Sequence, residues 1–196
     1  MIKKLFLIVS IFILTLNLNA NTHDKLKKHF LDKIDQVILI VKDKTLNKDE
    51  RNSKIVAVLT PMFDFKLMAK LSLGKTWKRL NKADRKKFVK LYVERMKQSY
   101  SSKLDAYSDE KVKVTDIKQP KPNRIAIVTQ LISDTNKLDI TYKFYKPKRA
   151  KKGKDEWLIY DVDILGVSIL KADKAQFREY LHSHSIYELM DNLVTK

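Results

Sequence analysis

The chain has 196 residues, with 41 Lys and Arg against 23 Asp and Glu, a formal charge of +18 and no cysteine. That length suits one domain with a sizeable core, and the absence of cysteine excludes a disulfide framework, so a hydrophobic core must hold the fold. The positive charge by itself points to nucleic acid, but no recognition motif accompanies it and the lysines are scattered; a solvated lysine surface, or one drawn to anionic headgroups or acidic proteins, accounts for it better.

The first twenty residues, "MIKKLFLIVSIFILTLNLNA", place Lys3 and Lys4 before an apolar run from Leu5 to Leu16 and then Leu18-Asn19-Ala20. This is the pattern of a secretory signal peptide cleaved after Ala20. The run is short for a membrane span, and no cysteine follows it to carry a lipid anchor. The expected mature domain is therefore 21–196, with a charge of +16 once two lysines are subtracted from +18, and its expected compartment is the periplasm.

From Thr22 to Lys44, Leu26, Phe30, Leu31, Ile34, Val37, Ile38 and Val41 recur at spacings of three and four, which predicts a helix with one apolar face. Asn47 with Glu50 has capping-box spacing and opens a second helix that Pro61 stops. "MFDFKLMAKLSL" predicts a third helix ending at Gly74. Asn81 and Asp84 open a long fourth helix through Phe88, Tyr92, Met96 and Tyr100.

After Tyr107 the period changes. "KVKVTDI", "RIAIVTQLIS", "LDITYKFYK" and "EWLIYDVDI" read as four strands joined by polar turns, an antiparallel meander. Leu138, Ile140, Tyr142 and Phe144 share one strand face, as do Tyr160, Val162 and Ile164. Ser168–Leu181 and Ser185–Val194 predict closing helices, the second with Ser185 and Glu188 at capping-box spacing. Helices, then strands, then helices predict an α+β single domain with helices packed on one face of a curved four-stranded antiparallel sheet.

Catalytic signals are thin. Asp161 and Asp163 share a strand face, but no base or metal cluster accompanies them, and pairing with lysine or capping a neighbouring element is the better reading. Gly166-Val167-Ser168 lacks the second glycine of a nucleophile elbow, since Leu170 stands there; Ser168 reads as a helix-start serine. His182 and His184, and His23 and His29, lack further ligands at recognisable spacing. No glycine loop cradles phosphate. Met62, Phe63, Phe65, Met68, Trp77, Tyr92, Met96, Tyr100, Tyr142, Phe144 and Tyr160 supply an ordinary core or line a cavity for an apolar ligand.

Phe63-Asp64-Phe65, Met68-Ala69, Leu73-Gly74, Trp77, Phe88 and Tyr100, followed by "EWLIYDVDILGVSIL" and "QFREYL", resemble the MlaC family of periplasmic phospholipid-binding proteins, also known as toluene-tolerance auxiliary proteins. The sequence departs from that pattern at Leu165, where the resemblance leads to an acidic residue before Gly166. The resemblance implies an NTF2-like fold enclosing an apolar cavity for phospholipid, and no enzyme activity, catalytic residue, metal or cofactor. It implies shuttling of lipid between an outer-membrane lipoprotein complex and an inner-membrane ABC transporter complex with its lipid-binding ring subunit, which maintains outer-membrane lipid asymmetry. Within the matching segments, Met68, Leu71, Leu73, Tyr92, Met96, Val128, Tyr142, Phe144, Tyr160 and Val162 are expected to line the cavity, with Trp77 and Phe65 as packing anchors. Two competing readings remain: a basic periplasmic adaptor that binds acidic proteins or membrane surfaces without a ligand, and an NTF2-like enzyme using Asp161.

Overall fold

The computed structural model of the chain describes residues 2–105, 111–134 and 136–193, with side chains from 22 to 99 and throughout the two later segments. Tyr107 and Val194, and the side chains of Tyr100 and of the expected leader, lie outside the described residues. Helix α1 (Ile2–Lys42) runs into α2 (Lys48–Leu59) through a short turn. The capping box is present: the Asn47 side chain accepts from the Asp49 and Glu50 amides, and the Glu50 carboxylate accepts from the Asn47 amide. Pro61 sits in a 3₁₀ turn, Thr60–Met62.

The third helix begins later than its apolar pattern predicts. Phe63 is extended and bridges Ile159 in parallel, and the Asp64 amide donates to the Ile159 carbonyl at 2.9 Å. Met62 closes the 3₁₀ turn and the sheet edge takes Phe63 before α3 (Phe65–Leu73) can start, with Asp64 as its N-cap. Gly74, at φ +55°, ends α3 in a conformation that suits glycine. A 3₁₀ turn, Thr76–Arg79, buries Trp77, and α4 (Lys82–Asp105) follows, with Asn81 accepting from the Asp84 amide.

The sheet has five strands, not four, in meander order: β1 (Lys111–Lys121), β2 (Arg124–Ile132), β3 (Lys137–Tyr145), β4 (Leu158–Ile164) and β5 (Val167–Ser168). The extra strand exists because Leu165 and Gly166, at φ +50° and +80°, fold the chain straight back on β4. α5 (Ile169–Tyr180) and α6 (Ile186–Asn192) close the domain; Ser168 caps the first, and the Ser185–Glu188 capping box opens the second. Among the described residues no helix is long and apolar enough to cross a membrane.

Two apolar clusters form. One joins α3, α4, α5 and α6 through Met68, Leu73, Trp77, Phe88, Tyr92, Phe177 and Met190. The other lies between α1 and one face of the sheet, through Leu26, Phe30, Ile125, Ile127, Phe144, Trp157, Ile159 and Val162. Phe63 and Ile169 pack against both.

Candidate functional site

The face of the sheet under α1 is apolar because alternate residues of each strand turn to it. β2 contributes Ile125, Ile127 and Thr129, and β3 contributes Ile140, Tyr142 and Phe144, which pair across the strands as Ile125–Phe144 and Ile127–Tyr142. Phe30 of α1 lies on this face, its ring 4.8 Å from that of Tyr142 and 6.0 Å from that of Phe144. His23 Nε2 lies 2.8 Å from Gln119 Oε1, and His29 Nε2 lies 2.7 Å from Asp155 Oδ2, which ties α1 down at the β1–β2 turn and the β3–β4 loop.

Burial varies across this face. Phe30, Met62, Ile125, Ile127, Thr129, Phe144 and Ile159 are fully buried. Leu31, Ile34, Val114, Ile117, Ile140, Tyr142 and Ile164 are only half-buried. Tyr142 retains accessible surface, yet burial pushes its hydroxyl up to about 12. The arrangement is an apolar layer between α1 and the sheet, with half-buried residues at its margin and few polar groups.

The expected lining residues divide among several places. Tyr142, Phe144 and Val162 come together in the apolar cluster under α1. Met68, Leu73, Tyr92 and Met96 are buried in the helical cluster instead, where the Tyr92 hydroxyl donates to Asp173 Oδ2 at 2.7 Å. Leu71 points to solvent from α3. Val128 sits on the opposite face of β2 from Ile127 and is half-buried. Tyr160 is turned away by a bulge: Lys143 pairs with Asp161 and Phe144 with Ile159, which leaves Tyr160 extra. Its ring meets Tyr145 at 6.0 Å with the Arg124 guanidinium over both, so Tyr160 does not share a face with Val162 and Ile164. Phe30, Ile34, Ile140 and Ile164 join the same cluster and were left off the expected lining; the helical period of α1 and the alternation of β3 and β4 both marked them as apolar-face positions.

The carboxylates are structural. Asp161 is buried, accepts from Ser168 Oγ at 2.8 Å and the Leu170 amide at 3.1 Å, and so secures the start of α5. Lys143 Nζ bridges it to Asp163, at 2.9 and 2.7 Å. Burial disfavours the Lys143 charge, but the two carboxylates outweigh it and hold its pKa above the usual value. Ser168 caps α5 through the Lys171 amide. Asp64 is fixed by the Tyr145 hydroxyl, Lys151 Nζ and the Leu67 amide; burial alone would raise its pKa, and these donors hold it below the ordinary range. His184 stacks on Tyr180 at the surface, and among the described residues no group of His, Asp or Glu is placed to hold a metal.

A separate cleft of about 400 Å³ lies between α4, α5 and α6. Arg95, Gln98, Gln176 and Asn192 line it beside Phe177, Tyr180, Leu189 and Leu193, so its wall mixes charged and amide groups with apolar ones.

Sheet and helices together define an α+β domain in which α1 packs on an apolar face of an antiparallel meander. The MlaC protein family model matches residues 32–195, and the chain belongs to the MlaC family. The intermembrane phospholipid transport system binding protein MlaC of Haemophilus influenzae is 26% identical over 138 residues, 70% of this chain and 62% of that protein. The phospholipid-binding protein of Ralstonia solanacearum, solved in complex with a phospholipid, shares the fold at a TM-score of 0.72 with 14% identity, over 85% of this chain and 93% of that one.

Proposed function

We propose that this protein is a periplasmic phospholipid carrier, exported by cleavage after Ala20, that holds acyl chains in the groove under α1. The observation that carries the reading is the half-buried apolar wall of Ile34, Ile140, Tyr142 and Ile164, beside a tightly packed continuation of the same sheet face. Two acyl chains hold about 30 methylene groups, and at about 0.8 kcal/mol each their exposure to water costs about 25 kcal/mol. A carrier must keep the tails dry throughout, so release into water is very slow. Handover then needs a receiver whose own apolar path meets the groove. The receivers proposed are an outer-membrane lipoprotein complex and an inner-membrane ABC transporter complex with its lipid-binding ring subunit. The work is binding and transfer without bond chemistry: Asp161 and Ser168, the residues a hydrolytic reading would use, hold the start of α5.

Native mass spectrometry of chain 21–196 purified without detergent tests this. The expected result is a bound mass equal to a diacyl phospholipid, lost only on unfolding. A ligand-free mass that persists after incubation with lipid vesicles overturns it.

A further inference from the structure

We propose that the β4–β5 turn, with Leu165 and Val167 at its apex, is the surface by which this protein enters the headgroup–acyl boundary of a phospholipid bilayer. The inference deepens the carrier reading and rests on it for the identity of the cargo.

Ile164 and Val167 pair directly, so Leu165 and Gly166 are the central residues of a two-residue hairpin. Positive φ at both, +50° and +80°, marks a type I′ turn. Such turns favour Asn-Gly or Asp-Gly, whose first residue tolerates the left-handed region; a leucine there is strained. Packing does not offset the strain, because Leu165 is 66% exposed and Val167 62% exposed. A side chain added at Gly166 would meet nothing within 4 Å, so the apex stands clear of the domain. The chain therefore holds two apolar side chains in water, one of them at a backbone position that disfavours it. Strain of this kind persists where the residue serves something outside the fold.

The apex adjoins half-buried residues of the proposed groove. The Leu165 amide donates to the Asp139 carbonyl at 2.9 Å, and Ile164 pairs with Ile140. Ile140, Ile164 and Ile169, all half-buried, belong to the groove wall. Lys171 follows the turn in sequence and Lys137 shares the neighbouring strand with Asp139, all three exposed, in a chain whose formal charge is +18. This chemistry suits a bilayer: aliphatic groups sink below the headgroups while ammonium groups stay among the phosphates. A protein partner needs a larger apolar centre, ringed by polar contacts, than two side chains provide.

The test uses the full chain and vesicles of phosphatidylethanolamine and phosphatidylglycerol, with flotation to measure partition, transfer of labelled lipid to acceptor vesicles, and extraction of co-purified lipid. Leu165→Asn with Val167→Thr is expected to lower partition roughly tenfold or more, since two aliphatic side chains no longer insert. Transfer should slow in step while co-purified lipid stays at the wild-type level. Leu165→Asn alone is expected to raise the thermal midpoint, because asparagine accepts the turn's backbone. Val167→Trp should strengthen partition. Unchanged partition and transfer in the double variant overturn the proposal and leave the carrier reading standing. Unchanged partition with loss of capture by a protein partner also overturns it and assigns the apex to a protein interface. A wild-type protein that carries no lipid yet partitions through Leu165 keeps the apex and removes the carrier reading.

Discussion

Asp161→Asn separates a structural carboxylate from a catalytic one. Asp161 is 3% exposed and accepts from Ser168 Oγ at 2.8 Å, the Leu170 amide at 3.1 Å and Lys143 Nζ at 2.9 Å. An asparagine supplies only one accepting oxygen, so its NH₂ group must face one of these donors. Removing one partner of a buried ion pair costs about 3–5 kcal/mol when it strands the other charge. Lys143 is not stranded, because Asp163 remains 2.7 Å from it. A single neutral hydrogen bond contributes about 1 kcal/mol. The expected loss lies between these limits, at about 2 kcal/mol, or about 4–8 °C in thermal midpoint for a chain of this size. Calorimetry reads that shift, and lipid extraction from the same preparation should return the wild-type amount. A variant that melts like wild type, or one that stays folded but loses its lipid, refutes the structural assignment.

Tyr142→Asp should leave a folded protein with at least tenfold less bound lipid, because an ionised carboxylate in the groove cannot be desolvated against hydrocarbon; quantified phospholipid per chain and the far-UV spectrum check this, and full occupancy would misplace the groove. Asp64 gives a pH prediction. Its folded pKa is depressed, so its contribution to stability is fully present above the unfolded value near 3.9 and drains away as pH falls through the lower folded value. The midpoint of wild type should therefore fall more steeply than that of Asp64→Asn below about pH 4, while at neutral pH the variant is the less stable; parallel pH profiles would remove Asp64 from the account.

Local chemistry was legible wherever it stays local. Asn47 with Glu50 and Ser185 with Glu188 form their capping boxes, and Gly74 ends its helix, because each signal spans only a few residues. The meander was legible from alternation and polar turns, as was the structural reading of Asp161 and Asp163. What the sequence could not reveal is which apolar face meets which. Met68, Tyr92 and Met96 lie on apolar helix faces as expected, but those faces meet one another and α5 instead of the sheet. The bulge at Tyr160 reverses one side chain without leaving any mark in an apolar strand pattern. The fifth strand stayed hidden because its turn is Leu-Gly, and leucine does not announce positive φ. The Lys143 bridge depends on register, which no single strand contains.

Among the described residues, Phe63 and Ile169 are the ones that pack against both apolar clusters, and this division bears on how the molecule can breathe. A single continuous core would make opening the groove equivalent to melting the protein. If α1 and α2 lift, the α3–α6 block would keep its own interior, and what must be given up is the packing of Leu26, Phe30, Leu31, Ile34 and Leu59 and the two histidine ties, His23 to Gln119 and His29 to Asp155. Amides of the α1–α2 pair should then exchange with solvent through sub-global openings, while those of α4, α5 and the central strands wait for the whole domain to unfold. For the carrier proposed above, loading and unloading would then be excursions of one cooperative unit on a second that keeps its shape.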